Sequence, residues 1–165
     1  VNAHSIAGFD VEGPVQAEVF VLFRDANSRL NLTGPCGADP WYLEVGADED
    51  PTAVVAAAIR RVIGEPVVVH STSWRRDRSS VVLSFMAVID RALLGGMTAV
   101  PVRRAELARG GADTAPPDIG TLSVIEHGLR HLAWLVMDDP VVAERLDEGW
   151  RSVLSTYVPE PFRQL

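Results

Sequence analysis

Residues 41–74, WYLEVGADEDPTAVVAAAIRRVIGEPVVVHSTSW, constrain the fold of this chain more than any other stretch. Asp50 precedes Pro51. An aspartate caps the free amides of a first helical turn, and proline suits the first helical position. Val54, Val55, Ala58, Ile59 and Val62 recur at helical spacing and define one apolar stripe. Gly64 stands where a left-handed C-terminal stop is expected, and Pro66 blocks continuation. The spacing predicts a helix over about 51–63, a short strand WYLEV running into Gly46 before it, and a strand after it.

The flanking segments extend the pattern. QAEVFVLFR, residues 16–24, has the β-branched and aromatic content of a strand. DANS is a turn, RLNLTG alternates like a half-buried strand, and GPCGADP is a loop. PVVVHSTSW and SSVVLSFMAVID read as strands of an antiparallel hairpin joined by the polar turn RRDR. LLGGMTAVPVRR is a glycine-broken turn that leaves a further strand open, and AELARGGADTAPPDIG is a short helical turn followed by a loop. TLSVIEHGLRHLAWLVM is a second helix, with Leu122, Ile125, Leu129, Leu132 and Val136 on one face. Asp139-Pro140 repeats the cap-plus-proline signal and opens a third helix, VVAERLDEGWRSVLSTY, which VPEPF ends. No internal repeat or low-complexity segment is present. The order predicts one α+β (mixed α/β) domain over 1–165, with a core at about 16–115 and a C-terminal helical pair at about 121–157.

Composition removes several function classes. The longest clean apolar run, VVLSFMAVI, is strand-sized and far short of the roughly 18 residues that span a bilayer. The stretch VNAHSIAGFDVEGPV lacks a basic region followed by a long apolar one, so no secretory signal is expected. Cys36 is the only cysteine, which excludes an internal disulfide or a cysteine metal cluster and fits a reduced, cytoplasmic setting. A net charge of −7 disfavours nucleic acid and anionic membranes as partners. All fifteen basic residues are arginine. Schiff-base lysine chemistry and a phosphate-loop lysine are therefore excluded.

From about Gln16 to Asp90, this order and spacing resemble the Nudix hydrolase family. The resemblance implies a Nudix-like sandwich of mixed sheet and helices. The family's box has a glycine after a tryptophan-bearing strand, a glutamate in the following segment, and a closing Arg-Glu-apolar-x-Glu-Glu-x-Gly-apolar. Here Trp41 and Leu43 match the strand, Gly46 the box glycine, Arg60 the arginine and Val62 the apolar position. Thr52 replaces the first glutamate, Arg61 the second, and Gly64 the first of the closing pair, whose second member is Glu65. Val67 replaces the final glycine. Glu49 falls where many members carry an acid ahead of the box's first glutamate, and Glu44 stands where proline is usual.

Members of the family are understood to cleave a nucleoside diphosphate linked to another group, using water and divalent metal. Magnesium requires several hard oxygen ligands, which a helix supplies from positions three and four apart. Only Glu65 survives of the box acids, and Arg61 lies four residues before it. A guanidinium there repels a metal and substitutes for its charge, because arginine forks bind phosphate well.

The leading expectation is a Nudix-like domain without its metal box. It would bind a small phosphorylated or nucleotide-like ligand through Arg61, with Arg75, Arg76 and Glu44 as further contacts, or act as an interaction scaffold, and no cofactor is expected. One alternative is a divergent hydrolase using Glu65 and Glu49, with Glu44, to hold Mg2+ or Mn2+. Another is a structural homodimer built on the C-terminal helices.

Other features weigh differently. The acidic run EVGADED, with Asp48 and Asp50, attracts a cation or is simply a solvated loop whose last acid caps a helix. Arg75, Arg76 and Arg78 sit on the predicted hairpin tip, either against ligand phosphates or as a polar turn. His127 and His131 share a helix face, but zinc needs a third ligand; packing of His131 near Trp134 is the expectation. Ser71, Ser73, Ser79 and Ser80 lack a nucleophile elbow, and strand alternation places His70 opposite Ser71.

Overall fold

The computed structural model describes residues 13–105 and 120–159. Six strands form one mixed sheet: β1 (Val15–Arg24), β2 (Leu30–Thr33), β3 (Trp41–Val45), β4 (Val68–Asp77), β5 (Ser80–Val88) and β6 (Val100–Pro101). Their order is β4-β5-β1-β2-β6. β1 is long enough to serve two partners on one edge: Val15–Val19 pairs with β3 and Val21–Arg24 with β2, both antiparallel. On its other edge β1 runs parallel to β5. The helices are α1 (Pro51–Val62), α2 (Thr121–Asp138), α3 (Pro140–Arg145) and α4 (Glu148–Leu154).

β1 is buried on both faces, which explains its nearly continuous apolar reading. Ala17, Val19, Val21 and Phe23 pack with Val55 and Ile59 of α1. Phe20 and Leu22 face the opposite way, toward Ile125, Leu129 and Leu132 of α2 and Trp150 and Leu154 of α4. The sheet is thus the middle layer of a sandwich, and the C-terminal helices turn their apolar side onto it. Two residues placed on helical stripes by spacing, Val62 and Leu122, are 48% and 45% exposed. Each lies at a helix end, where the stripe runs past the sheet.

The local signals of α1 behave as expected. The Asp50 carboxylate accepts from the Thr52 amide at 3.0 Å. Gly64 has φ 141°, and a Cβ there would meet Leu93 at 2.9 Å. Only glycine satisfies both conditions cheaply.

Two expectations need correction. β4 does not end before RRDR; it runs through Arg75 and Arg76 to Asp77, and the hairpin turns at Arg78 and Ser79, with Arg78 at φ 53°. The third helix is two helices, because Leu146 is extended and buried, and Asp147 caps a new start by accepting from the Trp150 amide. The strand left open in LLGGMTAVPVRR exists as the two-residue β6, paired with Asn31 and Leu32. The helical turn proposed for AELARGGADTAPPDIG, and the N-terminal stretch before Gly13, lie outside the described residues. Among those residues no helix is long and apolar enough to cross a membrane.

Candidate functional site

At the C-terminal end of α1, Arg60 donates through Nε to the Glu65 carboxylate at 2.7 Å, and both side chains are exposed. Arg61 is exposed and has no partner among the described residues. At the other end of the helix, the Glu49 carboxylate accepts from the Gly46 amide at 2.8 Å, while the Glu49 amide donates to the Gly46 carbonyl at 3.1 Å. A Cβ on Gly46 would sit 2.9 Å from that carboxylate, so the tight turn holds Glu49 back over its own loop. Asp50 is occupied as the helix cap. Glu44 is exposed on β3, opposite Gln16 of β1. Each of the three glutamates of the metal alternative therefore has its own setting, and among the described residues no three metal-ligating side chains gather.

The most organised polar group lies on the α2-facing side of the sheet. Glu18, on β1, is 2% exposed. Arg75 of β4 donates through Nη1 and Nη2 to its two carboxylate oxygens, each at 2.6 Å. Ser84 of β5 donates to one oxygen at 2.8 Å, and the Tyr42 hydroxyl of β3 to the other at 3.1 Å. Side chains from three strands thus converge on a carboxylate carried by a fourth. Burial pushes the Glu18 carboxyl up, but the Arg75 fork and the Ser84 hydroxyl outweigh it, so its pKa is lowered. The same fork raises Arg75. Burial and the Glu18 charge raise Tyr42, whose ring is half exposed and forms the outer wall of the group.

Arg75 and Arg76 were expected to act together. Successive strand residues point to opposite faces, so Arg76, opposite Val81, lies on the other side of the sheet. Glu18 and Ser84 were not singled out from the sequence. The available signal was an acid inside an otherwise apolar strand, QAEVFVLF, because buried carboxylates need partners.

Further along the same face, Nε2 of His70 lies 2.9 Å from Nε2 of His131. One ring donates and the other accepts, so at least one is neutral at that nitrogen. The rings stack at 4.9 Å, and Trp134 lies 5.4 Å from His131, as the helical spacing predicted. Burial holds His70 below its ordinary value, opposed by the charge of Asp139. His131 therefore pairs across to β4; His127 is half-buried one turn earlier. Glu126, also buried, takes both arms of Arg104 at 3.0 Å and Nε of Arg130 at 3.2 Å. Arg104 in turn lies 4.0 Å over the Tyr157 ring. These contacts fix α2 and the chain after α4 to the segment following β6.

This arrangement of a mixed sheet between α1 and the C-terminal helices is similar to the crystal structure of a MutT/nudix family protein from Enterococcus faecalis, with a TM-score of 0.56 over 92% of this chain and 77% of that one. The chain has a Nudix-like fold. At 11% identity, the likeness concerns the fold and not the chemistry. No protein-family model matches the sequence, and no curated protein matches it. α1 packs on one face of this sheet, Gly46 opens the loop that leads into it, and the Glu18 group lies on the opposite face.

Proposed function

We propose that this Nudix-like protein binds a small nucleotide-like or phosphorylated ligand without a divalent metal and without hydrolysing it. The observation that carries the reading is the state of the acids around α1. Glu65 is neutralised by Arg60 at 2.7 Å, Glu49 is tied to the Gly46 amide at 2.8 Å, and Arg61 stands between them in sequence with its guanidinium exposed. A metal would have to displace an ion pair and a turn, against a neighbouring positive charge. An anion meets an open fork of donors instead.

Arg61 is the main phosphate contact in this reading. Arg60 is structural, through Glu65. Tyr42, Glu44 and the Glu18–Arg75 pair lie on the other face of the sheet and form no part of this Arg61 site. Arg75 is committed to Glu18 and is structural. The tail helices direct Ile125, Leu129, Leu132 and Leu154 into the core, which supports ranking ligand binding above a scaffold or dimer built on those helices.

Thermal melting against a panel of nucleoside diphosphate derivatives tests this, once in EDTA and once in Mg2+. The expected result is a ligand-dependent rise in melting temperature in EDTA, reduced by Arg61→Ala. A rise seen only with Mg2+, and abolished by Glu65→Gln, would point to a working carboxylate metal site instead.

A further inference from the structure

We infer that the chain carries a second, separate anion site, in a cavity at the C-terminal ends of β1 and β5. The cavity has a volume of about 500 Å3 and is closed on one side by the α3–α4 corner. That volume lies within the roughly 300–1,000 Å3 typical of small-molecule sites. Arg24, Arg91 and Arg145 line it, as do Asp25, Asp90 and Asp147. None of Arg61, Glu65 and Arg75 does, so the inference does not depend on the box region.

Counted by formal charge, the lining is balanced; counted by free hydrogen-bonding capacity, it is not. Every aspartate is already engaged. Asp25 accepts from the amides of Asn27 and Arg29 at 2.8 and 2.9 Å. Asp90 caps the 3-10 turn Arg91–Leu93 through the Ala92 amide at 2.8 Å. Asp147 caps α4 and pairs with Arg24 at 2.9 Å. The arginines are less satisfied. Arg91 and Arg145 are exposed and have no partner among the described residues. Arg24 is held by both arms, through Nη2 to Asp147 at 2.9 Å and through Nη1 to Ser28 at 3.2 Å, which leaves Arg91 and Arg145 as the open donors of the lining.

The open valence of the cavity is therefore cationic and rich in N–H donors. Guanidinium forks match the oxygens of a phosphate. Val67, Ile89 and Trp150 add an apolar wall. The ligand class that satisfies both is a phosphate monoester on a small apolar or aromatic body.

Phenyl phosphate is the probe, titrated calorimetrically into the full chain, with phenol in parallel. The expected result is saturable binding of phenyl phosphate and none of phenol. Arg91→Ala and Arg145→Ala should each weaken binding about tenfold, the equivalent of one lost charge-assisted contact. Both side chains are exposed, so the melting temperature of each variant should stay at the wild-type value, which separates a lost contact from a lost fold. Absence of saturable binding, equal binding of phenol, or binding indifferent to both substitutions would overturn the inference. Loss of binding in Arg61→Ala with retention in the two cavity variants would also overturn it, while leaving the reading of the box region intact.

Discussion

Glu18 and Arg75 are joined by two hydrogen bonds of 2.6 Å, although 57 residues separate them in sequence. The pair reaches from β1 across β5 to the edge strand β4. Removing one partner of such a pair leaves the other buried and uncompensated, and costs more than the pair itself contributes. Arg75→Ala should lower stability by about 3 kcal/mol, the lower end of the buried-pair range because Arg75 keeps some solvent contact. The double replacement Glu18→Leu/Arg75→Met should recover most of that loss. Urea denaturation of the three proteins checks this, and a double variant as unstable as Arg75→Ala would contradict it.

Burial of the His70 ring against His131 should make stability depend on pH. Burial holds His70 below its ordinary 6.5, so the unfolded chain binds this proton more readily than the folded one. The contribution of the neutral ring is complete above that value and shrinks as pH falls below it. The urea midpoint should therefore decline between about pH 7 and 5. Glu18, Glu126 and Asp147 are held below their ordinary carboxyl values, so their contributions persist until pH falls lower still. A His70→Phe variant should show a flatter profile through the upper window; an unchanged slope would assign the effect to another group.

α2 lies close against the sheet at Gly128. A Cβ there would fall 2.3 Å from Cε and 2.7 Å from Cγ of Met86, which is fully buried. Alanine gains about 1 kcal/mol of helix propensity over glycine, while overpacking a core costs about 1–3 kcal/mol. Because the crowding reaches Cγ as well as the flexible tip, Gly128→Ala should be a net destabilisation of about 1 kcal/mol. A raised denaturation midpoint would mean that Met86 swings aside at little cost.

Asp147 both caps α4 and pairs with Arg24. Its truncation in Asp147→Ala should cost about 1 kcal/mol, mostly from the lost cap, since an exposed ion pair adds little. A melting temperature lowered by roughly 3 °C is the expected reading for a chain of this size. Asp147→Asn keeps a capping oxygen and should lose less than half of that. Equal losses would place the energy in the charge.

Features set by neighbouring residues were legible in the sequence, and those set by distant ones were not. α1 could be placed within a residue at each end, because Asp50, Pro51 and Gly64 act on the backbone beside them. The hairpin turn was misplaced because RRDR is polar enough to be a turn, while Arg75 is kept in the strand by a carboxylate on β1. The break between α3 and α4 was missed for a similar reason: Leu146 is drawn into the core and Asp147 is held by Arg24, neither of which the local sequence announces. At the candidate site, the absence of acids along α1 and the presence of Arg61 were visible directly. The pairing of Glu65 with Arg60, the folding back of Glu49 onto Gly46 and the buried Glu18 all depend on three-dimensional proximity.

Phosphorus NMR of the purified protein incubated with a nucleoside diphosphate sugar, first in EDTA and then in excess Mg2+, separates metal-free binding from metal-dependent hydrolysis. The expected result is that protein broadens or shifts the ligand signals in EDTA, that Mg2+ adds no change beyond that seen in a protein-free control, and that no monophosphate forms on prolonged incubation. Monophosphate signals that grow only with Mg2+, and vanish in Glu65→Gln, would contradict it.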